Sequence, residues 1–81
     1  MNWVVIWHPK AGKYVEKLPR EVAERILDKF DEVAQDPFKY LEHFAGEPYK
    51  LRVGDYSALV DVDFEKKVLK VRVLDKRERI Y

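Results

Sequence analysis

The feature that most constrains the fold is a pair of strand-like segments joined by a two-residue turn. Residues 49–53 alternate apolar and cationic side chains, as half-buried strands do. Gly54-Asp55 follows, a dipeptide typical of tight hairpin turns, and residues 56–63 then place Ala or Val at every second position from residue 58. Residues 68–73 alternate in the same way after a second reversal. This arrangement predicts three consecutive strands connected by short turns.

The first half of the chain predicts one strand and two helices. Residues 3–7 are apolar and β-branched and indicate a buried strand, and apolar positions from 11 to 18 then recur at helical spacing. A longer amphipathic helix begins at Pro19 and ends near Asp36, because Pro37 disfavours helical geometry in the residue before it. The order is β-α-α-β-β-β, an α+β fold in which both helices pack on one face of an antiparallel sheet. We expect the core to include the large aromatic residues Trp3, Trp7, Phe30 and Phe38.

Composition bounds the architecture and the chemistry. A chain of 81 residues forms one domain, residues 1–81, and the absence of cysteine excludes disulfides and thiolate sites. No apolar run is long enough to span a bilayer, and the N-terminus lacks the basic stretch of a signal peptide. We therefore expect a cytoplasmic protein with no membrane contact.

The strand alternation predicts a basic face on the sheet. Five residues are expected to point toward the helices: Leu51, Val53, Leu69, Val71 and Val73. Four cationic residues then lie on the opposite face: Lys50, Arg52, Lys70 and Arg72. Arg77 and Arg79 follow the last strand, with Tyr56 and Tyr81 nearby in sequence. Cations beside aromatic rings suit RNA, since phosphates need charge and bases need stacking partners. Solubility alone, or an acidic protein partner, would explain the same face.

The sequence gives little support for a metal site, a histidine acid–base pair or a serine nucleophile. His8 and His43 are isolated, without the spacing of a metal site, and pairing them as acid and base would require a loop to meet the end of a strand. Asp61 and Asp63 alternate on one strand and are better explained as partners of neighbouring lysines. Ser57 lacks the His and Asp neighbours of a serine nucleophile. No cofactor site is visible.

The ordered pattern resembles the RelE toxins of the RelE/ParE superfamily. The resemblance is carried by residues 3–6, by the Leu18-Pro19 break before the long helix, and above all by residues 49–56, Tyr-Lys-Leu-Arg-Val-Gly-Asp-Tyr. The end of the chain, residues 77–81, is similar to the family's Arg-x-x-x-Tyr ending. The similarity extends over essentially the whole chain in the right order.

The resemblance implies a toxin that cleaves mRNA in the ribosomal A site without a metal, by attack of a 2′-hydroxyl on the adjacent phosphate. Its catalytic residues would be Lys50, Arg52, Arg77 and Tyr81. The two arginines would stabilise the transition state. Lys50 would help to remove the 2′-hydroxyl proton, and Tyr81 would stack on a base or protonate the leaving oxygen. Further RNA contacts would come from Lys70, Arg72, Arg79 and Tyr56. A RelB-like antitoxin protein is the implied partner, and no cofactor is implied.

One position departs from the family pattern. The family motif continues with an arginine after the tyrosine, and this chain has Ser57 there. Losing one charged contact to the transition state costs on the order of 10²–10³ in rate. The departure is therefore explained equally by a weakened toxin, by a member with another target, or by a change introduced so that cells tolerate expression. Two alternatives remain open at this point: a ParE-like inhibitor of DNA gyrase, and a non-catalytic domain that only binds an antitoxin.

Overall fold

The elements of the structure follow the predicted order. The computed structural model describes residues 2–43, 46 and 48–76. Its elements are β1 (Val4–Trp7), α1 (Pro9–Glu16), α2 (Arg20–Gln35), α3 (Pro37–Tyr40), β2 (Tyr49–Val53), β3 (Tyr56–Asp63) and β4 (Val68–Lys76). The α+β fold and the order β-α-α-β-β-β are confirmed, with the one-turn helix α3 added in the segment expected to be a connector.

The four strands form one sheet in the order β1-β4-β3-β2. The pairs β2–β3 and β3–β4 are antiparallel, and Leu51 lies opposite Ala58 in the hairpin. Gly54 has a φ of 58°, the positive value that glycine tolerates and a two-residue hairpin turn needs. Strand β1 instead pairs with β4 in parallel, with Val5 opposite Leu69. The sheet is therefore mixed, and the prediction of an antiparallel sheet holds for β2, β3 and β4 but is wrong for β1. The reason is that the chain passes through the helices between its first strand and the other three.

Local signals explain where the helices begin and end. The Nδ1 atom of His8 accepts a hydrogen bond from the backbone N–H of Lys10 at 3.2 Å and caps α1, whose first residue is Pro9. Helix α2 starts directly after Pro19 and ends at Gln35, as predicted. None of the helices in the described ranges is long and apolar enough to cross a membrane.

The core lies between the helices and one face of the sheet. Its buried residues are Ala11, Val15, Ile26, Phe30, Val33, Leu51, Val53, Ala58, Val60, Leu69, Val71 and Leu74. The Trp7 ring packs edge-on against the ring of Phe30, with 4.9 Å between centroids. The alternation in β2 and β3 is thus confirmed as the pattern that builds the core.

A bulge in β4 overturns one core prediction. Leu59 pairs with Val73 and the next residue, Val60, pairs with Val71, so Arg72 is an extra residue without a partner on β3. The extra residue turns Val73 outward, where it is 36% exposed, and Leu74 takes the inward position. The prediction that Val73 points to the core is wrong for this reason.

Two other predictions of burial are also corrected. The Phe38 side chain is 46% exposed, and its ring stacks on that of Phe64 with 5.5 Å between centroids. In β1, Val4 and Ile6 are exposed, since only alternate residues of the strand face the helices. The apolar segment 3–7 therefore forms a strand, but not one buried on both faces.

Candidate nucleic-acid interface

The sheet face turned away from the core is the candidate interface, and we call it the open face. Its residues either alternate with core residues along a strand or lie opposite such a residue on the neighbouring strand. They are Lys50, Arg52, Ser57, Leu59, Asp61, Lys70, Val73, Val4 and Ile6. Arg72 joins this surface from the bulge. The four cationic residues expected to lie on the solvent side of the sheet do so.

Lys50 and Arg52 stand two residues apart on β2, at the edge of the open face. Their register partners on β3 are Leu59 and Ser57. The Arg52 guanidinium lies 3.8 Å from a carboxylate oxygen of Glu42, and both side chains are nearly half exposed. An exposed ion pair at this distance contributes little to stability, and a guanidinium has the donor geometry that suits a phosphate group.

Lys70 and Arg72 lie on β4, one strand beyond β3. Lys70 is exposed and is the register partner of Asp61. The Asp61 carboxylate accepts two hydrogen bonds from Arg72, from Nε at 3.0 Å and from Nη2 at 2.6 Å. The open face is therefore less positive than the cations alone predict. The sequence interpretation that Asp61 pairs with lysines misses this partner, because the bulge that brings Arg72 into reach is not visible in the alternation.

Ser57 occupies the middle of this surface and is wholly buried, at 0% exposure. Its register partners are Arg52 on β2 and Asp75 on β4. Its Oγ atom has no hydrogen-bond partner among the described residues. The side chain of an arginine at this position would leave the backbone between Arg52 and Asp75, and the Asp75 carboxylate would partly compensate its charge.

Tyr56 lies on the other side of the sheet. It shares the face of Ala58 and packs partly buried against the core. Its ring meets that of Tyr14 from α1 edge-on, with 6.4 Å between centroids. The placement of Tyr56 beside the open-face cations is therefore wrong, because residue 56 has the parity of the inward positions of β3.

The open face also carries an apolar side that the sequence interpretation missed. Val4 and Ile6 on β1 lie opposite Val68 and Lys70 of β4, and the bulge adds Val73. All three of Val4, Ile6 and Val73 are exposed. Their exposure is hidden in the sequence because β1 is apolar on both of its faces. The surface thus combines cations on β2 and β4 with an apolar margin along β1.

The remaining candidates are three residues from the last five of the sequence and the two histidines. Arg77, Arg79 and Tyr81, the other predicted site residues, fall outside the described residues. His8 follows β1 and His43 stacks on Tyr49 of β2, so the two histidines sit at opposite edges of the sheet, three strand spacings or roughly 14 Å apart. Within residues 2–43, 46 and 48–76, no group of three or more His, Asp or Glu side chains is arranged to hold a metal ion.

Comparison with known proteins places this fold and surface in a family. A family model described as the ParE toxin of the type II toxin–antitoxin system parDE matches residues 5–81. The chain therefore belongs to the ParE toxin family of the RelE/ParE superfamily. No curated protein sequence matches the chain.

Solved structures of toxin–antitoxin complexes share the fold. A chain of the intact Escherichia coli RelBE complex is 30% identical, with a TM-score of 0.76 and coverage of 95% of this chain and 99% of that one. A chain of the archaeal RelE–RelB complex from Pyrococcus horikoshii is 28% identical, with a TM-score of 0.80 and coverage of 98% and 99%. A chain of the Mycobacterium tuberculosis RelBE2 complex has a TM-score of 0.84 at 20% identity, covering 95% and 100%, and this last likeness concerns the fold alone.

Proposed function

We propose that this protein is the toxin of a RelBE-type pair and acts in the cytoplasm as a ribosome-dependent mRNA endoribonuclease. The observation that supports the proposal most directly is the placement of Lys50 and Arg52 side by side on an exposed sheet face, in a chain of RelE-like fold. The resemblance of residues 49–56 to the family motif implies a catalytic role for both residues. Arg52 is exposed and Lys50 is half-buried on this face.

The proposed chemistry is transfer of a phosphate ester within the RNA. The 2′-hydroxyl of one nucleotide attacks the adjacent phosphorus, the bond to the 5′-oxygen of the next nucleotide breaks, and that oxygen leaves with a proton. Arg52 would stabilise the charge that develops on the phosphate oxygens, because a guanidinium donates two parallel hydrogen bonds to them. Lys50 and Tyr81 are the candidates for proton transfer, and Arg77 would share the charge.

A RelB-like antitoxin is the proposed partner. Chains similar to this one occur in complexes of RelE with RelB from Escherichia coli and Pyrococcus horikoshii. An amphipathic antitoxin segment would match the mixed character of the open face, since its apolar residues would cover Val4 and Ile6 and its acidic residues would meet the cations. Such a segment would exclude mRNA by occupying the same surface.

Cleavage on programmed ribosomes tests the proposal. The unsubstituted protein and three variants are added to ribosomes carrying a defined mRNA, and cuts are mapped by primer extension. The variants are Arg52→Ala, Ser57→Arg and Arg20→Ala. We expect cuts at the A-site codon, a loss of about 10²-fold with Arg52→Ala, and a comparable gain with Ser57→Arg. Arg20 is 90% exposed on α2, away from the open face, and its substitution should change nothing. No cleavage from the given protein or from Ser57→Arg, with both folded, would contradict the proposal.

Inhibition of DNA gyrase is the second candidate function, and the match to the ParE toxin model favours it. Burial of Ser57 at the position of the family arginine is also compatible with a toxin that needs no phosphate-binding arginine there. A supercoiling assay separates the two functions. Inhibition of gyrase that survives Arg52→Ala, together with intact mRNA on ribosomes, would support the ParE-like function.

A further inference from the structure

A groove beside the open face has features of a nucleotide-binding site. It lies between the first turns of α1 and residues 72–74 of β4, with a volume of about 390 Å³, within the roughly 300–1,000 Å³ common for ligand sites. The groove exists because β1 ends at Trp7 and pairs only with the first half of β4, so that helix α1 flanks the second half of β4. Val73, which the bulge at Arg72 turns outward, is one of the residues that line it.

The floor of the groove is apolar and held in place. Ala11 and Leu74, both buried core residues, line the groove together with Tyr14. The Tyr14 hydroxyl donates a hydrogen bond to Asp75 Oδ1 at 3.1 Å, and its ring packs against that of Tyr56. A tyrosine fixed at both its ring and its hydroxyl loses little conformational entropy when a flat ligand packs beside it.

The rim of the groove is basic. His8, Lys10 and Arg72 contribute to it, and none of its lining residues is acidic. His8 accepts a hydrogen bond at Nδ1, so in the neutral imidazole the proton is on Nε2, which can donate to a ligand. Lys10 is exposed and forms no ion pair with the other described residues. Arg72 is engaged by Asp61, so His8 and Lys10 are the donors at this rim, and an apolar groove beside them matches a nucleobase attached to a phosphate.

We propose that this groove binds one nucleotide of the single-stranded RNA that crosses the open face, with the base beside Tyr14 and the phosphate at Lys10 and His8. The inference rests on the proposed function for the origin of the RNA. Continuity with the open face supports RNA over other ligands, because Arg72 and Val73 belong to both surfaces. The groove would extend the RNA contact beyond the cleavage site and fix the position of the strand.

Two matched pairs of variants test the groove. Val73→Trp fills it, and Leu27→Trp places the same side chain at a similarly exposed site on α2. Lys10→Glu reverses the charge at the rim, and Lys66→Glu does the same in the exposed turn after β3. Binding of a fluorescent six-nucleotide single-stranded RNA is measured by anisotropy, with circular dichroism to establish that each variant is folded. In parallel, amide shifts are recorded as nucleoside 5′-monophosphates are added to the given protein.

We expect Val73→Trp to weaken binding roughly fivefold to a hundredfold, the range for loss of one stacked base. Lys10→Glu should weaken it and lower the salt dependence by about 0.7 in slope or more, whereas the two controls should bind like the given protein. Monophosphates should shift the amides of Ala11, Tyr14 and Leu74. Equal RNA affinity in Val73→Trp and Leu27→Trp would overturn the proposal, as would a Val73→Trp variant that loses only antitoxin binding.

Cleavage separates this inference from the proposed function. If Arg52→Ala abolishes mRNA cleavage while Val73→Trp changes neither affinity nor cleavage, the groove proposal fails and the endoribonuclease stands. If the given protein binds the six-nucleotide RNA through the groove and cuts no mRNA even with Ser57→Arg, the groove proposal stands and the endoribonuclease fails.

Discussion

The Asp61 carboxylate accepts two hydrogen bonds from the Arg72 guanidinium across the open face, at 3.0 and 2.6 Å. Both side chains are about half exposed, so the pair contributes little to stability, at most about 1 kcal/mol. Its larger effect is on charge, because a bidentate carboxylate occupies the donors that a phosphate would use. If the open face binds RNA as proposed, Asp61 lowers its affinity by engaging Arg72.

Replacing Asp61 with asparagine should therefore strengthen RNA binding. Asp61→Asn removes the competing charge and leaves Arg72 available to a phosphate. The affinity for a short single-stranded RNA should rise several-fold, and the slope of its salt dependence should grow by about 0.7, the value for one added phosphate contact. Anisotropy titrations from low to moderate salt measure both quantities.

Asp31→Asn is the matched control for this prediction. Asp31 is exposed on α2, so its substitution makes the same change in net charge away from the open face. If both variants gain equal affinity, net charge alone governs binding and the Asp61–Arg72 pair has no special role.

Much of the fold was predictable because its signals are local. Gly54-Asp55 fixes the length of the hairpin turn and hence the register of Leu51 against Ala58. Pro19 and Pro37 delimit α2 through backbone geometry that neighbours do not alter. The alternation along β2 assigned Lys50 and Arg52 to the open face for the same reason.

What could not be predicted depends on pairing between distant segments. Val71-Arg72-Val73 alternates without a break in the sequence, and only the ladder with Leu59 and Val60 shows the bulge. The burial of Ser57 has a similar origin, since its neighbours on other strands determine it. Val4 is exposed because it lies on the face of β1 turned away from the helices, and the covered face cannot be identified in a strand that is apolar on both faces.

The buried hydroxyl of Ser57 predicts a gain in stability on its removal. An unsatisfied buried polar group costs roughly 1–3 kcal/mol relative to an apolar group of similar shape, and Ser57 Oγ has no hydrogen-bond partner among the described residues. Ser57→Ala should raise the free energy of unfolding by about 1 kcal/mol in urea titrations. A loss of stability would show instead that the hydroxyl makes a favourable contact.

Two phenylalanines should differ sharply in their contribution to stability. Phe30 is buried among core residues and packs against Trp7, so Phe30→Ala should lower the free energy of unfolding by about 3–5 kcal/mol. Phe38 is 46% exposed and contacts mainly other rings, including Trp3 at 5.6 Å and Phe64. Phe38→Ala should cost less, about 1–2 kcal/mol from its ring contacts and partial burial. Equal losses in urea titrations would contradict the boundary of the core drawn here.

The hydrogen bond from Tyr14 to Asp75 should determine how firmly the end of β4 is held. It joins α1 to a strand residue 61 positions away in sequence, at 3.1 Å. Tyr14→Phe removes the donor, whereas Asp75 Oδ1 keeps the bond from the backbone N–H of Lys76 at 2.7 Å. No buried carboxylate is then left unpaired, and the loss should be moderate, about 1.5 kcal/mol.

Amide hydrogen exchange gives the readout that is specific to this bond. Tyr14→Phe should speed exchange at residues 74–76 more than at the centre of the sheet around Val60, because the variant loosens one end of β4 and leaves the core packing intact. Tyr40→Phe is the control, since the ring of Tyr40 contacts Lys29 and should keep that contact without its hydroxyl. Uniformly faster exchange across the sheet in Tyr14→Phe would indicate global destabilisation and would contradict a local anchor. Faster exchange confined to the end of β4 would identify Tyr14 as the residue that positions the end of this strand, which precedes Arg77 in the sequence.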